Sequence, residues 1–418
     1  MATLSYTPID DRTFQFIVAD LTRPLPPPFN YDGDWGQVRG SPEGDTITAT
    51  FASIIGGRGG NDLVTGSDLN DIIFGNDGND TIDGAGGQDR IHGNDGNDSI
   101  TGGSGDDFIA GDAGDDEISG GTGNDAISAG EGNDFIDERE LPDSGDDRFY
   151  GNAGADWLLG GEGNDSLHGG DGNDWLDGGE GNDYLSGGDG DDVLTDIGGN
   201  NSLFGGAGVD LIFAGTGVDR LAGGTGNDEL WGGDSNDTLF GDEGNDQLWG
   251  DRGNDSLYGG VGIDNLHGGR GNDFLWGGAD KDWLFGEEGS DRLRGEAGDD
   301  NLDGGDGDDF LWGGVGDDKL FGAQGNNHLF GGAGADTFLF SAAQGSETQH
   351  VYDFDRTEGD QFVYLQGYDE VVDAIDIRAG KDGSVVTIGD LSIVFSGAYD
   401  LTAADITFGG DPEFPFFL

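Results

Sequence analysis

Between residues 57 and 339 an apolar side chain returns every nine residues, and glycine, Asn and Asp fill most positions between. Gly160-Gly161-Glu162-Gly163-Asn164-Asp165-Ser166-Leu167-His168 shows the unit, and Gly169 to Asp177 repeats it at once. With the unit numbered 1 to 9 as G-G-x-G-N-D-x-L-x, 31 copies align, and position 8 is apolar in all of them, from Val64 to Phe338. So strict a period marks a repeat architecture whose units do not bury their own faces. Positions 1 to 6 favour turn backbone, since glycine reaches positive φ freely and Asn or Asp tolerates it. Positions 7 to 9 read as a very short strand with its middle side chain turned inward. Such a strand pairs its backbone only against stacked copies. The pattern therefore predicts a solenoid with two units per coil, and two opposing parallel sheets around the position 8 side chains.

Position 6 carries the candidate chemistry. A first block places Asp62, Asp71, Asp80, Asp89, Asp98, Asp107, Asp116, Asp125 and Asp134 there. After a four-residue slip come Asp147, Asp156, Asp165, Asp174, Asp183, Asp192, Asp210, Asp219, Asp228, Asp237, Asp246, Asp255, Asp264, Asp273, Asp282, Asp291, Asp300, Asp309, Asp318 and Asp336. Asn201 and Asn327 are the two departures. In adjacent coils these carboxylates would stack roughly 4.8 Å apart, where uncompensated like charges repel strongly. A cation between coils removes the conflict, and oxygen-only ligands select a hard ion. Carboxylates with carbonyls from a flexible glycine loop suit Ca²⁺, which takes about six to eight oxygens, better than Mg²⁺ with its tight octahedron. With no Cys and scattered His, zinc or copper has little to draw on.

The unit resembles the RTX nonapeptide G-G-x-G-x-D-x-U-x, and the likeness covers about two-thirds of the chain. The resemblance implies an all-β fold, a right-handed parallel β-roll whose loops hold Ca²⁺ at about one ion per repeat. The ligands it implies are position 6 carboxylates of coils 18 residues apart, with loop carbonyls. Carried onto this chain, Asp165 and Asp183 would share one ion, and Asp174 and Asp192 the next on the opposite side. Asn201 and Asn327 would border weaker or empty sites.

Charge sharpens this. The chain has 17 basic and 86 acidic residues, a net charge of −69. Some 25 to 29 ions would bring it near neutrality, about one for each pair of stacked units. Without them it is a glycine-rich polyanion expected to be disordered, so folding and metal binding should be one event. Nothing basic could meet phosphate, which argues against nucleic acid. No apolar run reaches the length of a transmembrane helix. Residues 1–11 have neither the basic nor the apolar region of a secretory signal peptide. Weak Ca²⁺ sites fill near millimolar calcium, which points outside the cell. The resemblance implies export by a type I secretion system through an uncleaved C-terminal signal, and the acidic-then-apolar tail 411–418 is similar to such signals.

Along the chain, residues 1–53 read as an N-terminal cap or docking segment, with a strand at 13–19 and a proline-rich stretch after it. Residues 54–137 form a block with Ile at position 8 in eight of nine units, and 145–339 a block with Leu there almost throughout. The interruption at 138–144 reads as a bulged loop on one continuous roll, with two rolls and a hinge as the alternative. In the second block, aromatics recur at position 9 every 18 residues. One row is Phe213, Trp231, Trp249, His267, Phe285, Asp303 and Phe321; the other is Phe240, Tyr258, Trp276, Arg294, Trp312 and Phe330. Such rows could stiffen the strands, pack against other copies, or offer a polysaccharide platform. Residues 340–410 read as a small antiparallel β cap, with strands from Thr337 onward. That end resembles the C-terminal region of serralysin-type RTX proteins.

No catalytic motif survives scrutiny. There is no H-E-x-x-H and no G-x-S-x-G, and no Lys follows the glycine loops as a phosphate cradle requires. The five histidines occupy outward repeat positions or the cap. The sequence reads as a non-enzymatic, calcium-folded extracellular or surface protein with a structural or self-assembling role. A polysaccharide- or ice-binding module is the alternative, and a hydrolase or epimerase accessory region the remoter one.

Overall fold

The computed structural model describes residues 36–139, 145–341, 347–365, 375–379, 383–388, 390–396 and 401–409. The strand expected at 13–19, the prolines after it, most of the interruption and the tail at 411–418 lie outside them.

Alternate units fall on two sheets. Ser166–Asp171, Tyr184–Asp189 and Ser202–Ala207 pair in parallel in the first, with Leu167, Leu185 and Leu203 in register. Trp157–Glu162, Trp175–Glu180 and Val193–Thr195 pair likewise in the second, through Leu158, Leu176 and Leu194. The chain thus winds as an all-β parallel solenoid of about 17 turns. Among the described residues, the second ladder runs open from Thr46–Thr48 to Ile406–Gly409. Every position 8 side chain is buried between the sheets in one continuous core. Burying a Leu or Ile contributes about 1.5–3 kcal/mol, and each turn supplies two, so stability accrues turn by turn.

The strands are longer than expected. Most run six residues, as in Ser166–Asp171, and cover positions 7, 8, 9, 1, 2 and 3. The glycine pair that reads locally as a turn lies within the strand here. Gly170, at φ +120°, pairs with Gly188, while the ladder skips Gly169 at position 1. Neighbouring turns supply the hydrogen bonds that a lone Gly-Gly lacks, and only positions 4 to 6 make the corner.

The ladders pass through the interruption. Ala126–Glu131 pairs with Arg148–Ala153, and Phe135 with Trp157, so one core spans both blocks. Glu138, at the mouth of the loop, is buried and accepts the Gly120 and Gly121 amides.

The C-terminal part corrects one expectation. Thr337–Ser341, Gln361–Leu365 and Ile406–Gly409 extend the second sheet in parallel, and Thr348–Val351 and Leu391–Ser396 extend the first. Among the described residues only Ile375–Ala379, Gly383–Ile388 and Leu391–Ser396 pair antiparallel to one another. An alternating strand pattern specifies a buried face and not a pairing direction, and the open end of the solenoid offers a parallel template.

Candidate metal centre

Position 6 sits at the end of the corner, with its side chain folded back under the turn. The Asp156 amide donates to Asp174 Oδ1 at 2.8 Å, and the Asp174 amide donates to Asp192 Oδ1 at 2.8 Å. On the opposite side the Asp165 amide donates to Asp183 Oδ1 at 2.7 Å. Two columns of this kind run along the roll. Both cross the interruption unbroken, through Asp125 to Asp147 at 2.7 Å and Asp134 to Asp156 at 2.8 Å. Position 5 makes its own outer ladder in the reverse sense, as where the Asn182 amide donates to Asn164 Oδ1 at 3.0 Å.

The other carboxylate oxygen has no such partner. In 27 of the 29 predicted Asp residues Oδ2 is buried and accepts no hydrogen bond. It faces the skipped glycine: a Cβ placed on Gly169 would lie 2.2 Å from Asp174 Oδ2 and 2.6 Å from the Gly187 carbonyl oxygen. Two acceptors therefore line one small cradle with no donor group between them. A buried unpaired carboxylate oxygen is costly unless a cation or a proton meets it. Among the described residues no three His, Cys, Asp or Glu side chains converge on a point, so any ion here draws on carboxylate and backbone carbonyl oxygens together. That donor set fits Ca²⁺.

Without a cation the acids are hard to ionise. Burial pushes Asp174 up to about 7, against the lowering effect of the Asp156 amide, and the Asp192 charge adds to the rise. Asp255, Asp282 and Asp318 go up to about 8 for the same leading reason.

Asp71 differs from its fellows: its Oδ2 takes the Ser67 amide at 2.7 Å and the Ser67 hydroxyl at 2.9 Å, which fills the cradle. Asp336, the other exception, closes its column by donating its amide to Asp360 Oδ1 at 3.0 Å. Three members stand outside the predicted ligand set, although 44–47 reads in sequence as a degenerate first unit with Asp45 at its acidic position. Asp45 and Asp360 begin and end one column at spacings of 17 and 24, off the regular period. Asp196 stands at position 1, where the pattern has glycine, and is buried. An acid at a glycine position was the available signal.

The outward rows form stacked ladders, except that Phe321, expected in the first row, is buried in a small cluster with Ala323 and Leu339. Phe213, Trp231, Trp249, His267 and Phe285 stack in turn at 4.5 to 5.8 Å. Across the roll, Phe240, Tyr258 and Trp276 stack at 4.9 and 4.6 Å, and Arg294 lies over Trp312. The histidines belong to such contacts: His168 stacks on Tyr150 at 4.9 Å, and His267 Nδ1 meets Glu287 at 3.0 Å.

The family model of the RTX calcium-binding nonapeptide repeat matches this chain over residues 56–137, 143–194 and 197–342. No curated protein matches it. Among solved structures, a repeat subunit of the Azotobacter vinelandii mannuronan C5-epimerase is 24% identical over 36% of this chain and 81% of its own, with a TM-score of 0.21. The extracellular lipase of Serratia marcescens is 20% identical over 68% of this chain, with a TM-score of 0.23, and the match spans 45% of the lipase. Among the described residues no helix is long and apolar enough to cross a membrane.

Proposed function

The chain belongs to the RTX calcium-binding nonapeptide-repeat family, and we propose that it is a calcium-folded β-roll acting outside the cell as a structural, self-assembling element. One observation carries the first part: the columns of buried carboxylate oxygens without donors, many of them beside a carbonyl of the next turn. Bound Ca²⁺ supplies the positive charge that lets those carboxylates stay ionised while buried. The position 6 Asp residues hold it with the position 1 carbonyls, and their Oδ1 atoms tie each turn to the next. At the low calcium inside a cell the chain stays an extended polyanion of net charge −69, and it folds on export. This supports secretion, with the type I machinery as the export partner.

The structural role rests on the repeat occupying most of the chain and on how its outer rings are arranged. Trp231 and Trp249 lie 4.5 Å apart with planes 6° from parallel, so each covers the other's face. Sugar binding by aromatics uses ring faces; edges presented in a row suit stiffening and lateral packing between copies. The polysaccharide-platform reading is therefore the weaker one.

Electron microscopy of the purified chain in millimolar calcium, and again after chelation, tests the proposal. Ordered filaments or sheets with calcium only are expected. Separate ordered particles would remove self-assembly, and order that survives chelation would remove the calcium-folded reading altogether.

A further inference from the structure

Three acidic side chains occupy the position 1 place in the turn, and the structure treats them differently. Glu138 accepts the amides of Gly120 and Gly121. Asp353 accepts the Gly331 amide at 2.9 Å and the Gly332 amide at 3.1 Å. In both, backbone donors satisfy the carboxylate. Asp196 accepts, among the described residues, one backbone amide, that of Gly198 on Oδ1 at 3.0 Å. Its Oδ2 is buried without a partner at 4% residue exposure, and so is Oδ2 of Asp183 at 3%.

These two orphan oxygens meet. A Cβ placed on Gly178 would lie 2.3 Å from Asp196 Oδ2 and 2.8 Å from Asp183 Oδ2. In an ordinary turn the first of those neighbours is a backbone carbonyl, as the Gly187 carbonyl is for Asp174. Here a second carboxylate takes the carbonyl's place. The same unit carries Asn201 at position 6, whose Nδ2 is buried without an acceptor while Oδ1 takes the Asp183 amide at 2.8 Å. The unit that lost its acid at position 6 thus carries one at position 1, aimed into the cradle of the turn before.

We propose that Asp183 and Asp196 form a divalent-cation site outside the repeat pattern, with two carboxylates from adjacent turns in place of one carboxylate and one carbonyl. It takes a hard, oxygen-seeking ion of the Ca²⁺ class, and its extra charge makes it tighter than its neighbours. The neighbourhood of Asn201 is then occupied, where the repeat pattern alone leaves it weak or empty. The proposal rests on the calcium-folded reading.

Native mass spectrometry of the full chain at saturating free calcium counts bound ions. Asp196→Asn places an amide beside Asp183 Oδ2, which closes the cradle by hydrogen bonding, and is expected to bind one ion fewer than the parent with all others kept. A variant with the parental count overturns the site. Should the variant lose most of its ions through misfolding, the unaltered chain decides: crystals grown in terbium should show an anomalous peak touching both carboxylates, and peaks at other turns without one there overturn the proposal. A parent that binds no calcium fails the calcium-folded reading itself, and this site with it.

Discussion

Asn327 Nδ2 donates to the Gly322 carbonyl at 2.6 Å, and so fills with a hydrogen bond the cradle that other turns line with two acceptors. Its Oδ1 still takes the Asp309 amide at 2.7 Å, as an Asp would. Asn327 therefore keeps the turn-to-turn link and dispenses with the ion, whereas an Asp at position 6 keeps the link and requires one.

The two roles separate by mutation. Asp174→Asn should retain the roll in saturating calcium and lose local calcium binding. Asp174→Ala removes Oδ1 as well and leaves the Asp156 amide without its acceptor, which costs about 1–3 kcal/mol more. Calcium titrations followed by circular dichroism, with denaturant melts of both variants, check this. A titration of the Ala variant indistinguishable from the parent's would mean that the ligand register is wrong.

The raised carboxyls set opposite pH responses with and without calcium. A folded-state value of about 7 for Asp174 or about 8 for Asp255 lies above the ordinary unfolded value of about 3.9. The protonated acids thus stabilise the metal-free roll fully below about pH 4, and that contribution is lost as pH rises through 7 to 8. The chelated chain should be more ordered at pH 4.5 than at pH 8. With calcium, protons compete with the ion, so apparent affinity should fall as pH drops below about 7. Circular dichroism across this range, with calcium and with chelator, reads both limbs; parallel curves would sink the linkage.

Much of this was legible because the repeat states one fact many times. Leu167, Leu185 and Leu203 announce a core column, and Asp165 and Asp183 a stacked acid column, without any knowledge of the sheets. Strand length was not legible, because Gly169-Gly170 carries a turn propensity that pairing with the adjacent turns overrides. The direction of the terminal strands was hidden for a similar reason: Gln361–Leu365 buries Phe362 and Tyr364 on one face equally well beside a parallel or an antiparallel neighbour. Asp196 and Asp360 escaped because they leave the period that identified the others, and Asp45, in a degenerate first unit, was left out of the ligand set for the same reason.

Position 4 should be the least tolerant place in most turns. Gly172 sits at φ +138°, and a Cβ there would come 1.6 Å from the Gly154 carbonyl oxygen, a backbone atom with nowhere to go. Gly172→Ala should cost at least about 3 kcal/mol in saturating calcium, from the strained dihedral and the displaced turn together. Ser235 and Asp280 do hold side chains at position 4, at φ +103° and +75°, so those turns have adjusted locally. Replacing either with Gly should be close to neutral or stabilising. Thermal melts of the three variants at fixed calcium test the contrast; a harmless Gly172→Ala would refute the close stacking of the corners.

The core and the outer rings should differ in how a truncation is felt. Leu230 is fully buried, and Leu230→Ala should cost about 2–5 kcal/mol through the cavity it leaves between the sheets. Trp249, in the outer row, is held on both faces, by Trp231 at 4.5 Å and His267 at 5.8 Å. Trp249→Ala should cost about 0.5–1.5 kcal/mol for each of these two stacked rings, with calcium binding unchanged. If the ladder stiffens the roll or joins copies, this variant shows lower stability or broken assemblies and no change in retention on immobilised polysaccharide. Retention by the parent that the variant loses, at equal stability, would instead make the aromatic row a glycan-binding surface.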